Sequence, residues 1–251
     1  MKKLTVIITV FNESHNIEGV LESANFADEI IVVDSFSTDD TLLKAKKYTD
    51  LILQRKYEYP ASQKNWAIPQ AGNEWILLLD ADERVTPELK SEILKILKNP
   101  PSGIAGFWIY RNNHFMGKQV RFSGWQHDKV IRLFKRDECV YEDKMVHEEL
   151  TSNGEIGFLK NKLYHNTYVN LDNYIQKLNR YAYWQALDYD KHTNRLNAFH
   201  FIIKPVWRFF KHYILQQGFR DGVVGLTISV LQSYALFMRY VKLWLYRRGQ
   251  K

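Results

Sequence analysis

A chain of 251 residues with 45% apolar and 14% aromatic content can bury one substantial core and is too apolar to be disordered throughout. Its single cysteine, Cys139, excludes an internal disulfide and any zinc site built on several thiolates, which fits a reducing compartment. The net charge of +7 is unevenly spread: from Arg195 onwards ten Lys or Arg face one acid, Asp221, whereas the residues before it carry 25 basic and 27 acidic groups, so the tail rather than the body calls for an anionic partner.

The first residues, Met1 to Ile8, join a basic start to a short apolar run. Asn12, Glu13 and Ser14 cut that run too early for a signal peptide, so a buried first strand and a cytoplasmic body are expected. Leu4–Val10 reads as a strand covered on both faces, and Ile17, Val20, Leu21 and Ala24 have helical spacing. Glu29–Val33 is a second buried strand. Ser37-Thr38-Asp39-Asp40 fits a capping box opening a helix that holds Leu42, Leu43 and Ala45. A short strand at Leu51–Leu53, a helical stretch near Ser62–Ala71 and a buried strand at Trp75–Leu79 follow. Thr86-Pro87-Glu88 supplies a cap, a first-turn proline and a first-turn acid to a helix with Leu89, Ile93, Ile96 and Leu97 on its apolar stripe. This alternation predicts an α/β fold with a mostly parallel sheet covered by helices. Beyond Pro100-Pro101, strands at Ile104–Tyr110, Val130–Phe134 and Gly157–Leu163 lack long intervening helices, so the sheet extends in antiparallel or mixed fashion. A helix is expected over Leu171–Leu187, and two or three more from Arg195, interrupted near Gly218–Gly222.

In such a sheet, ligands bind outside the carboxyl ends of the strands. That rule selects Val10-Phe11-Asn12-Glu13, Val33-Asp34-Ser35 and Leu79-Asp80-Ala81-Asp82. Asp34 alone reads equally as a helix cap. Two carboxylates one residue apart can converge on a hard divalent cation that keeps positions open for substrate phosphates and neutralises a departing diphosphate.

VIITVFNE, IIVVDSFSTDDT and WILLLDADE together resemble the start of family 2 glycosyltransferases with the GT-A fold, and the lipopolysaccharide-core-type glucosyltransferases in particular. SQKNWAI (62–68), SGWQHDKVIRLFKR (123–136), MVHEEL (145–150), LYHNTY (163–168) and KPVWRFFKHYILQQGFRDGVVGL (204–226) extend the likeness over nearly the whole chain in the expected order. The proline usual before the family's Asn-Glu pair is replaced by Val10-Phe11, which puts the backbone there in doubt.

The resemblance implies an inverting transfer from a nucleotide sugar, UDP-linked for preference, to a hydroxyl of a lipid-linked or lipopolysaccharide-type acceptor. Asp34 would bind the base and Glu13 sit near ribose or base. Lys64 would lie near the diphosphate, unless it is a solvated helix charge. Asp80 and Asp82 match the DxD motif, with Asp82 the direct ligand of Mg or Mn and Asp80 facing the ribose or supporting the site. Glu148 takes the place of the catalytic base, with Glu149 the alternative. His165 is a third metal ligand or a satisfied core histidine, and His147 a structural hydrogen-bonding group. Trp125 and Arg132 can line the acceptor or phosphate site or serve packing and surface charge. A nucleotidyltransferase is the rival enzyme class, but VFNESHN lacks the glycine-rich phosphate loop such enzymes use. A non-catalytic nucleotide-sugar-binding protein of the same fold is the third reading.

Composition divides the chain into a catalytic domain, 1–194, and a basic amphipathic helical tail, 195–251. From Gly222 to Met238 no residue is charged, but two glycines and Thr227, Ser229, Gln232 and Ser233 interrupt a run that falls short of the about 20 apolar residues of a spanning helix. Phe199–Phe210 interleaves Phe, Ile, Val and Trp with Lys204 and Arg208, as an interfacial helix requires. A helix pair packed on the body gives the same pattern, and one face can pack while the other meets lipid. The expected location is peripheral, on the inner face of the cytoplasmic membrane. No nucleic-acid module is recognisable, so no nucleic-acid partner is expected.

Overall fold

The computed structural model describes residues 1–143, 149–168 and 170–250. Two compact units divide the chain: unit 1 holds residues 1–112 and 129–165, unit 2 residues 113–128 and 166–251. The 194/195 boundary marks where charge changes; packing places the helix preceding it in unit 2.

The chain runs β1 (Leu4–Val10), α1 (Ile17–Ala24), β2 (Glu29–Asp34), α2 (Thr41–Ala45), β3 (Ile52–Gln54), α3 (Pro60–Ala67), β4 (Trp75–Asp80), β5 (Glu83–Arg84) and α4 (Pro87–Lys98). Strands β6 (Ile104–Phe115), β7 (Lys118–Gln119), β8 (Lys129–Lys135), β9 (Cys139–Tyr141), β10 (Leu150–Ser152), β11 (Glu155–Phe158) and β12 (Leu163–Tyr168) follow. Helices α5 (Leu171–Asp190), α6 (Lys204–Phe210) and α7 (Gly222–Tyr246) close the chain.

The apolar run of β1 is explained by its place: it pairs in parallel with β2 on one side and β4 on the other, and six of its seven residues are buried. Alternate residues serve opposite faces. Leu4, Val6, Ile8 and Val10 join α1 and α4 in one core layer, while Ile7 joins Ala61, Ala67 and Ile68 in the other. Truncating the fully buried Ile8 to alanine costs about 2–5 kcal/mol. The sheet order is β3-β2-β1-β4-β8-β6-β12-β5, parallel from β3 to β4 and antiparallel at β4–β8 and β8–β6. This is the expected α/β GT-A arrangement with its mixed extension.

Register decides what meets at the strand ends. Val10 lies opposite Asp34, and Thr9 opposite Asp80. Helix α4 opens as its sequence predicts, with Thr86 Oγ1 accepting from Leu89 N at 3.2 Å and Pro87 in the first turn. Two expectations need correction. Gly157–Leu163 is not one strand: β11 ends at Phe158 and β12 begins at Leu163, separated by the polar turn Lys160-Asn161-Lys162, whose backbone Glu92 holds through Lys160 N and Asn161 N, both at 2.9 Å. The Ser37–Asp40 segment forms no capping box: Asp40, the residue before α2, makes no side-chain cap, and the N–H of Thr41 is met instead by Asp39 Oδ1 at 3.0 Å.

In unit 2, α7 packs against α5 and α6. Phe115, Val120, Tyr174 and Ile228 form one small core, and Ala186, Leu236, Tyr240 and Leu243 another. A Cβ on Gly225 would stand 1.8 Å from Gly218 O, so only glycine lets α7 approach there.

Candidate active site

The loops after β1 and β2 are stitched together by side chain to backbone hydrogen bonds. Asn12 N donates to Ser37 Oγ at 2.8 Å, and Thr38 N donates to Asn12 Oδ1 at 2.8 Å. Glu13 N donates to Thr41 Oγ1 at 2.8 Å and Ser14 N to Asp39 Oδ2 at 3.1 Å. Asn12 takes a left-handed backbone (φ 54°), which asparagine tolerates better than most residues. These bonds engage Ser37, while Asp39 divides its carboxylate between Ser14 N and Thr41 N at the head of α2.

Asp34 is fully buried at the end of β2, accepting from Ser37 N at 3.1 Å and Gln54 Nε2 at 3.0 Å. Glu13 turns its carboxylate to the head of α1, where Oε2 accepts from Asn16 Nδ2 at 2.8 Å. Lys64 is not a solvated helix charge. It is buried with its ammonium 4.9 Å from the centre of the Tyr141 ring, and its charge reaches Asp80. The next residue, Asn65, pairs with the backbone of Tyr141 like a strand, accepting from Tyr141 N at 2.9 Å and donating to Tyr141 O at 2.8 Å.

The Asp80-Ala81-Asp82 turn is held by Arg132 together with Glu83, Arg84 and Arg111, three residues that sequence reasoning passed over. Glu83 has no exposed surface and accepts from Asp80 N at 3.0 Å, from Arg132 Nη2 at 2.9 Å and from Arg111 Nη1 at 3.4 Å. Arg132 contacts Asp80 with the same Nη2, so it is a buried counter-ion rather than a surface charge. Burial alone would push the Asp80 carboxyl up. The guanidinium of Arg132, helped by Lys64, Arg111 and His165, outweighs it and holds the carboxyl well below the usual range. Burial likewise works against the Arg132 cation, and Asp80 and Glu83 more than compensate. Arg84 fastens the other side of the turn, donating to Ala81 O at 2.6 Å and to Asn16 O at 2.9 Å. A signal for this network exists in the sequence: Arg132 interrupts the apolar run Val130–Phe134, and Glu83 follows two acids at a strand end.

Strand β5 pairs antiparallel with β12, His165 opposite Glu83. That pairing carries His165 back 83 positions, to where its Nε2 lies 3.4 Å from Asp82 Oδ2. Both side chains are largely buried. Adjacent ligands on an octahedral ion with bonds of about 2.1 Å lie about 3 Å apart, so this carboxylate and imidazole suit one divalent cation. Asp80 is engaged by Arg132, and among the described residues no three His, Cys, Asp or Glu side chains form a ready ligand cluster.

Glu148 and His147 lie outside the described residues. Glu149 is exposed, and its carbonyl accepts from Glu142 N at 2.9 Å, beyond the paired ends of β9 and β10. Trp125 belongs to unit 2, where its ring meets Phe115 edge-on at 6.2 Å.

The elements and their acidic strand ends define an α/β protein of the GT-A type. The model of glycosyl transferase family 2 matches residues 5–148, more than half of the chain, and the chain belongs to that family. It is 28% identical over 258 residues to an uncharacterized glycosyltransferase of Rickettsia conorii, covering 96% of this chain and 90% of the relative. The lipopolysaccharide core biosynthesis glycosyltransferase LpsC of Rhizobium meliloti is 26% identical over 248 residues, covering 96% and 92%. Among solved structures, S. aureus TarS in complex with UDP is similar at 18% identity and a TM-score of 0.48, over 99% of this chain and 92% of that one. Glucosyl-3-phosphoglycerate synthase from Mycobacterium tuberculosis with Mg2+ and UDP matches at 20% identity and a TM-score of 0.37, over 46% and 44%.

Proposed function

We propose that the protein is an inverting, metal-dependent glycosyltransferase that moves a sugar from a nucleotide donor, UDP-linked for preference, to a hydroxyl of a lipid-linked or lipopolysaccharide-type glycan. The observation that carries the reading is the meeting of Asp82 and His165 beside a turn whose other aspartate is clamped by Arg132. Asp82 and His165 would hold the cation, which when bound would offset charge growing on the departing diphosphate. Lys64 adds a fixed positive charge on the same side. Asp34 presents an acceptor to the base, and Glu13 closes the ribose end. The acceptor hydroxyl needs one base to take its proton as the anomeric carbon gains oxocarbenium character; Glu148 is that base, and attack from the face opposite the diphosphate inverts the centre. The LpsC relative supports a cell-envelope glycan as acceptor. The basic, aromatic tail supports a peripheral location on the inner face of the cytoplasmic membrane.

Incubation with a panel of UDP-, GDP- and dTDP-sugars, with and without Mn2+ or Mg2+, tests this. Metal-dependent release of nucleoside diphosphate is expected from at least one donor, UDP-linked first. Tight donor binding with no turnover across glycolipid acceptors would favour a non-catalytic binding protein instead.

A further inference from the structure

We infer that unit 2 is a monotopic anchor that lies in the plane of an anionic bilayer and does not cross it. The inference deepens the proposed location and is tested without donor, metal or turnover, so either can fail alone.

The segment Phe199–Leu215 is helical throughout, with π-helical turns at Phe199–Ile203 and Lys211–Leu215 flanking α6. Pro205, which has no N–H to give to the preceding turn, sits just after the first of them. Phe199, Ile203, Val206, Trp207, Phe210 and Ile214 recur at three or four residues and face outward, Val206 62% and Trp207 56% exposed. Arg208 and Lys211 are interleaved with them, placed to reach headgroups while their stems stay among apolar groups.

Helix α7, packed against α6, carries a second exposed apolar stripe. Val223, Leu226, Val230, Phe237 and Trp244 form one outward stripe at helical spacing, Val223 being 80% exposed. Lys242 and Arg248 stand near its end, with Arg248 over the Trp244 ring at 4.6 Å. By length and composition the helix Gly218–Tyr246 could cross a membrane, an 18-residue stretch of it having a mean hydropathy of 1.3. Its inner face forbids this. Ile228 packs with Phe115 and Tyr174, and Leu236, Tyr240 and Leu243 pack with Ala186 of α5. Arg239 is buried there, donating from Nε to Gln185 Oε1 at 2.9 Å and lying over Tyr189 at 4.6 Å. Crossing would break both cores and strip Arg239 of Gln185 and Tyr189, while α5 carries Lys177, Arg180, Asp188 and Asp190 and cannot follow it. A second copy is a poor occupant of the apolar surface, because ten basic groups against one acid in residues 195–251 make two such faces repel. A bilayer rich in anionic lipid meets both the apolar stripe and the charge.

The full chain is mixed with vesicles of phosphatidylglycerol and phosphatidylethanolamine, or of phosphatidylcholine alone. Sedimentation and quenching of tryptophan by lipids brominated at shallow or deep positions are then measured. Partition into the phosphatidylglycerol vesicles at least about tenfold above phosphatidylcholine is expected, with shallow bromines quenching more than deep ones. Val206→Glu with Trp207→Glu, both at exposed positions, loses about tenfold or more in partition at unchanged thermal unfolding; Arg208→Glu with Lys211→Glu loses the anionic preference. Partition unaffected by the first pair overturns the inference. So does a dimer that this pair dissociates without any vesicle binding. Terminal tags found on opposite faces of inner-membrane vesicles from expressing cells would show a span and overturn it as well.

Discussion

Arg132 serves two carboxylates with one nitrogen: its Nη2 lies 2.9 Å from Glu83 Oε1 and also contacts Asp80. Glu83 in turn accepts the backbone N–H of Asp80, so the turn that presents Asp82 is closed by a loop of charge-assisted bonds in which Glu83 and Arg132 have almost no access to water. Removing the cation leaves a fully buried glutamate without its main counter-ion. Arg132→Met is therefore expected to lower unfolding free energy by about 3–5 kcal/mol, read by urea denaturation. Arg132→Lys, which keeps the charge and loses the fork, should lie between the two.

Asp82 and His165 are predicted to share one task. Isothermal titration of Mn2+ in the presence of UDP should show weaker metal binding in Asp82→Ala and in His165→Ala. The double variant should lose less than the sum of the two, because contacting residues that share one ion are not additive.

Glu148→Gln should keep donor affinity and lose transfer by about 10²–10⁴-fold, the span of a general base. If Glu149→Gln shows that phenotype and Glu148→Gln does not, the base is the neighbouring residue. Retained UDP binding in both variants separates chemistry from folding.

The imidazole of His212 is buried in unit 2, donating from Nδ1 to Ser123 O at 2.8 Å. Burial pushes its pKa down and the Ser123 carbonyl opposes this, while the nearby Arg208 and Lys211 push it further down. In the unfolded chain it takes up a proton near pH 6.5, before the folded protein does. Stability should then fall as pH drops below about 6.5, by at most about 1.4 kcal/mol per pH unit from this group. His212→Gln should show a shallower slope than the parent in thermal unfolding from pH 7 to 5.

Cys139 is buried, and its thiol is pushed up to about 12 by that burial and by Glu138. Iodoacetamide at pH 8 should leave it unmodified in the folded protein and alkylate it in urea.

Much of the fold is legible in the sequence because parallel strands covered on both faces need unbroken apolar runs, and helices on a sheet need an apolar stripe. Leu4–Val10, Ile17–Ala24 and Trp75–Leu79 obey those rules locally. Asp34, Asp80 and Asp82 stood out because strand ends in such sheets face ligands. Glu83 and Arg111 did not, since their significance is a pairing across 28 residues that no local pattern encodes. Lys64 left a solvated helix charge open as the lesser reading, and only the Tyr141 ring beneath it closes that reading. The Ser37–Asp40 segment misled for a related reason: Ser37 serves the neighbouring loop and Asp39 divides its carboxylate between that loop and Thr41 N, and a capping pattern does not say which backbone it will cap. Gly157–Leu163 failed because two buried leucines, Leu159 and Leu163, belong to separate segments joined by a turn that Glu92 holds.

The most direct test of the central claim compares the parent chain with Asp82→Ala for metal-dependent release of nucleoside diphosphate from the best donor of the panel. The account predicts turnover that requires Mn2+ or Mg2+ and falls by orders of magnitude in Asp82→Ala while unfolding is little changed. Turnover near that of the parent in Asp82→Ala would contradict it.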